Sequence, residues 1–187
     1  QAFVYDVQAG KPVVQLDGEF RKAGGNSWFI RAAITPDGKR IATQSDMDPE
    51  VRLWDADTGK LIHTIKRTKA TGPVDDRRLV SVAIAPDGKT VYAGGISGGA
   101  GVHRWDAVTG KELEAWATGF SSVSAVVPGK DTIFTCSDDG RIGRRDTARG
   151  TEQGSPAGHR DIVMAARSPD GRTVVTADLT GKLLVWD

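Results

Sequence analysis

Apolar and β-branched residues fall along this chain in short runs, and each run is closed by a turn signal. Val51-Arg52-Leu53-Trp54, Val102-His103-Arg104-Trp105 and Leu183-Leu184-Val185-Trp186 each run into an aspartate. Ile142-Gly143-Arg144-Arg145-Asp146 is a weaker copy and Phe3-Val4-Tyr5-Asp6 an earlier, partial one. Short apolar and β-branched runs bounded by turn residues mark β-strands, and helical spacing of apolar residues is absent throughout. The pattern predicts strands joined by tight turns.

The turn signals recur in constant order. Thr35-Pro36-Asp37-Gly38, Ala85-Pro86-Asp87-Gly88 and Ser168-Pro169-Asp170-Gly171 share one pattern, and Val127-Pro128-Gly129-Lys130 resembles it. In such a turn proline presets φ, aspartate bonds nearby backbone and glycine accepts positive φ. A second turn follows each strand-end aspartate: Ala9-Gly10-Lys11, Thr58-Gly59-Lys60, Thr109-Gly110-Lys111 and a weaker Arg149-Gly150-Thr151. The prolines are spaced 50, 42 and 41 apart and the strand-end aspartates 51, 40 and 41, so two independent markers keep step as an internal repeat.

Counting from each proline exposes the packing. Three residues before it stand Ala33, Ala83, Ala125 and Ala166, a column suited to crowded innermost strands. Five residues after it stand Ile41, Val91, Ile133 and Val174, β-branched residues suited to strands buried between sheets.

The repeat resembles the WD-repeat (WD40) β-propeller family of bacterial type, whose blades are four-stranded antiparallel sheets around a channel. The resemblance covers essentially the whole chain and implies an all-β fold in one domain. Residues 1–16 would form a partial blade, 17–65 blade one, 66–116 blade two, 117–153 blade three, and 154–187 blade four without its outer strand. The arc is expected to be part of a larger ring. The family often locks a blade with hydrogen-bonded His, Ser/Thr, Asp and Trp. Blade four offers His159, Thr176 and Trp186, with Thr180 where the turn aspartate would stand. Blade one has Asp48 and Trp54 with Asn26 at the histidine position, blade two has Trp105, and blade three has Asp139 with Arg145 replacing tryptophan. On this reading no blade holds the full set.

The interval between the first two repeats carries extra residues, in Lys66–Arg78 and in the glycine-rich run Gly94–Gly101. In a propeller both connections emerge on the top face, opposite the Pro-Asp-Gly turns. Variable loops on a rigid scaffold concentrate function, so a partner is expected there. The residues eight before each turn proline, Trp28, Arg78, Phe120 and Asp161, would ring the channel and contact it. Trp28 and Phe120 could equally fill gaps between blades.

Composition narrows the partner. Lys and Arg number 25 against 24 Asp and Glu, so the basic excess expected of a nucleic-acid binder is missing. The lone cysteine, Cys136, cannot form an intrachain disulfide, and no apolar run is long enough to span a membrane. Localisation is open, the cytoplasm being slightly favoured.

Catalytic motifs dissolve on inspection. Gly95-Ile96-Ser97-Gly98-Gly99 fits a hydrolase nucleophile pattern, but a strand follows where a helix is required. Gly88-Lys89-Thr90 resembles the end of a phosphate loop, yet Ala83 stands where glycine is needed. Asp46, Asp48 and Glu50 lack the turn glycine of a calcium loop, and His63, His103 and His159 have no ligand spacing. Arg141, Arg144, Arg145 and Arg149 read as a solvated blade edge. No metal or other cofactor is expected, and the faint likeness of Asp106–Trp116 to a quinoprotein docking motif fails in its spacing.

The expected function is a non-catalytic scaffold binding a protein or peptide, not nucleic acid or membrane. The alternative is a regulatory or gating propeller of a larger enzyme. Open terminal blades would leave Val4, Val13, Val163, Val174 and Leu184 uncovered, so self-association is expected too.

Overall fold

The computed structural model describes residues 2–18, 30–45, 49–68, 78–96, 101–153, 159, 162–168 and 172–186. Among them are sixteen strands and no helix. The partial blade pairs β1 (Phe3–Asp6) with β2 (Lys11–Gln15). Blade one is β3 (Ile30–Ile34), β4 (Arg40–Ser45), β5 (Glu50–Asp55) and β6 (Leu61–Lys66), in that spatial order. Blade two is β7 (Leu79–Ile84), β8 (Thr90–Gly95), β9 (Gly101–Asp106) and the short β10 (Trp116–Ala117). Blade three is β11 (Ala125–Pro128), β12 (Thr132–Cys136) and β13 (Ile142–Asp146), with its outer edge reduced to an Arg145–Glu152 bridge. Blade four is β14 (Ile162–Arg167), β15 (Val174–Asp178) and β16 (Leu183–Trp186).

All pairings are antiparallel, and the first strands of successive blades lie side by side: β3 against β7, β7 against β11, β11 against β14. The sheets form a propeller arc, and the ring is not closed.

Register corrects one part of the repeat reading. Ile34 pairs with Ile41, Ile84 with Val91 and Arg167 with Val174, each two residues before the turn proline. In blade three Pro128 itself pairs with Ile133. The blade-three turn is two residues shorter: Gly129 N–H bonds Thr132 O, whereas Thr35 N–H reaches Arg40 O across four residues. Pro128 is therefore the end of a strand rather than a turn proline, and Val127, not Ala125, matches Ala33, Ala83 and Ala166. The second-strand column is unaffected, since Ile41, Val91, Ile133 and Val174 are all buried.

The core lies between blades. Leu53, Val51 and Ile65 of blade one pack on Leu79, Val91 and Trp105 of blade two. Truncating a fully buried residue such as Leu53 to alanine costs about 2–5 kcal/mol through lost transfer energy and the cavity left behind. Trp54 packs instead on Leu16, Ala2 and Val4 of the partial blade, sealing the other side of blade one.

Of the residues expected to be uncovered at the two ends of the arc, Val13 is exposed and others are not. Val174 is buried, Val4 and Leu184 are half-buried, and Val163 lies outside the residues whose side chains are described. Phe3, Tyr5 and Val13 are exposed at one end, and Met164, Leu183 and Val185 at the other. A one-residue step along a strand changes its face, and Val4, Val174 and Leu184 turn inward.

Candidate functional site

The turns on one face of the arc are rigidly built. Asp55 Oδ1 accepts the N–H and hydroxyl of Thr58, Asp106 Oδ1 does the same with Thr109, and Asp146 Oδ1 accepts the N–H groups of Ala148 and Arg149. The Thr58 hydroxyl bond, first among the contacts, lowers the Asp55 pKa from its ordinary value, and the Thr109 N–H does so for Asp106. These loops are tied to the turns between the first and second strands of each blade by Ala56 N–H to Lys39 O, Ala107 N–H to Lys89 O and Thr147 N–H to Asp131 O. Gly59 shows why the loop needs glycine. Its φ of 71° suits no β-branched residue, and a Cβ there would strike the Gln15 carbonyl.

Two substitutions between repeats open this face at the junction of blades two and three. At the first junction Leu53, paired with Ala42, is wholly buried, and Arg40 reaches across to the carbonyls of Gly88 and Ala107. At the second, the matching pair is Arg104 with Tyr92, and Thr90 stands where Arg40 stood. A short threonine cannot span the gap, and a guanidinium replaces a core leucine. The result is a cleft of about 570 Å³ lined by Ala85, Pro86, Asp87, Thr90, Tyr92, Arg104, Gly129, Lys130, Asp131, Thr147 and Ala148.

Arg104 is the unusual group of this cleft. Its guanidinium lies 3.9 Å from the centre of the Trp116 ring, a cation–π contact, and Tyr92 lies 6.3 Å from that ring. Its buried Nε has no hydrogen-bond acceptor among the described residues, and the Glu114 carboxylate attracts the guanidinium electrostatically. Burial pulls the Arg104 pKa below its ordinary value and pushes that of the Tyr92 phenol up. Buried donors without acceptors are costly, and a guanidinium with five N–H groups is built to meet an oxyanion.

The third junction repeats the theme. Phe134 pairs with Arg144, whose guanidinium lies 5.9 Å from the phenyl centre. A smaller cleft of about 170 Å³ is lined there by Gly129, Thr132, Phe134, Arg144, Arg167, Arg172 and Val174. The arginine strip seen in the sequence thus divides. Arg141 pairs with Asp139, while Arg145 turns inward to the carbonyls of Gly150 and Ala117, and only Arg144 faces a cleft.

Of the four residues expected to contact a partner, two lie among the described residues. Trp28 and Asp161 lie outside the described residues. Arg78 is exposed just before β7. Phe120 is half-buried against the core of blades two and three, where it occupies the space left by Gly143 beneath the Arg141 guanidinium. The shortened blade-three turn also removes it from the rim position, which belongs to Ser122. The cleft opens instead on the face of the Pro-Asp-Gly turns, opposite the expected one.

The blade-locking residues are partly corrected. His159 Nδ1 lies 2.9 Å from Asp178 Oδ2 and Nε2 lies 2.6 Å from Thr176 Oγ1, which also accepts the Trp186 indole N–H at 2.8 Å. A neutral imidazole with its hydrogen on Nδ1 satisfies every one of these bonds. Blade four therefore holds a complete set, and its acid is Asp178, not residue 180. Asp178 ends β15 and also accepts the hydroxyl and N–H of Thr180 and the Lys182 N–H, so one carboxylate serves both lock and turn. In blade one Trp54 donates to Thr43 Oγ1 at 2.8 Å, and Asp48 and Asn26 lie outside the described residues. In blade two the matching position is Ala93, and the buried Trp105 indole N–H has no acceptor among the described residues. In blade three Asp139 belongs to the turn, where its bond with Arg141 holds its pKa down to about 2. The sequence carries a signal for Arg104: two residues before the strand-end aspartate, leucine in blade one becomes arginine in blades two and three.

Among the described residues, no cluster of His, Cys, Asp and Glu is placed to hold a metal, and no helix is long and apolar enough to cross a membrane. In sequence, the model of the WD domain, G-beta repeat (WD40) matches residues 150–187. No curated protein matches the chain significantly. Among solved structures, the hydrazine synthase of Kuenenia stuttgartiensis is similar at 19% identity with a TM-score of 0.72, over 91% of this chain. The chain spans about half of that protein, covering 49% of it, and at this identity the likeness is one of fold. The chain is an arc of a β-propeller, and its last blade matches the WD40 repeat model.

Proposed function

We propose that this arc is a non-catalytic binding platform for a protein or peptide partner. The observation that supports it is the cleft of about 570 Å³ between blades two and three. Its walls are turns tied by backbone bonds and aspartate caps, so the cavity is preformed and a ligand does not have to order it. A segment of extended chain fits such an opening, with one side chain entering the cleft and the rest lying over the turns.

Selection of a displayed random peptide library on the immobilised chain tests the reading. Ala148 is exposed on the cleft wall, so Ala148→Trp fills the opening without entering the core. Enriched peptides that bind the unaltered chain and lose at least tenfold in affinity for the variant are expected. No enrichment, or peptides indifferent to Ala148→Trp, would remove the cleft as the partner site.

A further inference from the structure

We infer that the clefts between blades two and three and between blades three and four receive acidic side chains of one peptide segment, the first carboxylate seated on Arg104. The inference rests on the binding-platform reading and names the partner's chemistry. Its first ground is the comparison of junctions within one molecule. The position that holds buried Leu53 in blade one holds Arg104 in blade two and Arg144 in blade three, and each arginine lies in a cleft wall. Leucine shows that the fold accepts an apolar residue there, so packing alone does not require a guanidinium.

The second ground is that the buried Arg104 Nε has no acceptor among the described residues, while one face of its guanidinium is held on Trp116. A stacked guanidinium is pre-oriented, which lowers the entropy lost when its edge meets a carboxylate. Lys130 on the same rim, and Arg167 and Arg172 in the next cleft, carry the positive field onward.

Peptide is favoured over nucleic acid by the arrangement of charge and rings. The faces of Trp116 and Phe134 that bases would need for stacking are covered by Arg104 and Arg144. Two separate pits suit side chains along an extended chain better than a continuous backbone.

The test is a titration of the 187-residue chain, followed by the Arg104 Nε–H and Trp116 Nε1–H signals in proton–nitrogen spectra. The probes are a Glu-Gly repeat hexapeptide, its Gln-Gly counterpart, inorganic phosphate and an oligothymidylate. The glutamate peptide is expected to shift both signals saturably, binding at least tenfold more tightly than the glutamine peptide. Arg104→Leu should abolish the effect while leaving the melting temperature equal or higher, because leucine is the blade-one residue at that position. Ala148→Glu should weaken binding through like charge on the rim. Equal binding of the two peptides overturns the acidic preference, and if both are lost in Ala148→Trp the platform reading still stands. Absence of any saturable shift, tighter binding of phosphate or of oligothymidylate, or full binding by Arg104→Leu also overturns the inference.

Discussion

Trp186 donates its indole N–H to the hydroxyl of Thr176 at 2.8 Å, across neighbouring strands and two residues out of register. Trp54 makes the same bond to Thr43 in blade one. Blade two keeps the tryptophan, as Trp105, but presents Ala93 in place of the threonine, and the buried donor goes without an acceptor among the described residues. Where a repeat carries this tryptophan, it is a packing residue first, and its hydrogen bond is supplied or withheld by one position on the strand beside it.

That contrast makes Ala93→Thr a stabilising substitution. The new hydroxyl would stand where Thr43 and Thr176 stand and accept the Trp105 N–H, a gain of about 1 kcal/mol. Threonine is also the better strand former. Denaturant unfolding should show a higher midpoint with an unchanged slope, and a lower midpoint would show that blade two has no room for the side chain.

The reverse change is Thr176→Val, which keeps shape and removes the hydroxyl shared by His159 and Trp186. Two buried donors or acceptors lose their partner, so a loss of about 1–3 kcal/mol is expected. Thr43→Val, which removes the hydroxyl that accepts the Trp54 indole N–H, should cost less. Equal costs in the two blades would mean that the histidine contributes nothing to the lock.

Asp178 links the lock to pH. The Thr180 hydroxyl, and after it His159, hold its carboxyl well below the usual carboxylate range. A group whose folded pKa is depressed stabilises the fold above its unfolded pKa of about 3.9, and that contribution is lost as pH falls towards the folded value. The melting temperature of the unaltered chain should therefore exceed that of Asp178→Asn at neutral pH, and the gap should narrow below about pH 4. A gap that stays constant across the acid range would contradict the assignment.

Cys136 is wholly buried between blades three and four, and burial pushes its thiol pKa up to about 12. Thiolate is the reactive form. A thiol reagent at neutral pH should therefore label the native chain far more slowly than the unfolded one, and rapid labelling in buffer would show that the blade three–four junction opens readily.

The ends of the arc predict association of this 187-residue chain. Phe3 and Tyr5 at one end, and Met164, Leu183 and Val185 at the other, are more than two-fifths exposed on sheet faces. Such faces are where blades pack elsewhere in the molecule, so concentration-dependent association should appear in sedimentation, weakened by Leu183→Lys with Val185→Lys. Monodisperse monomers at all concentrations would show that the faces tolerate water.

What the sequence determined by itself was local and repetitive. Turn chemistry at Pro36 and Pro86, the strand-end aspartates and the buried column Ile41, Val91, Ile133 and Val174 were all legible, because each depends on residues close in the chain. Tertiary structure decided whatever depended on pairing between strands or blades. The slip at Pro128 follows from a turn shortened by two residues, and only register reveals which neighbour a residue faces. Asp178 became the lock's acid because β15 carries it to within reach of His159, nineteen residues away in sequence. The cleft exists because Thr90 and Arg104 of blade two meet the turns of blade three, which a repeat read one copy at a time does not bring together.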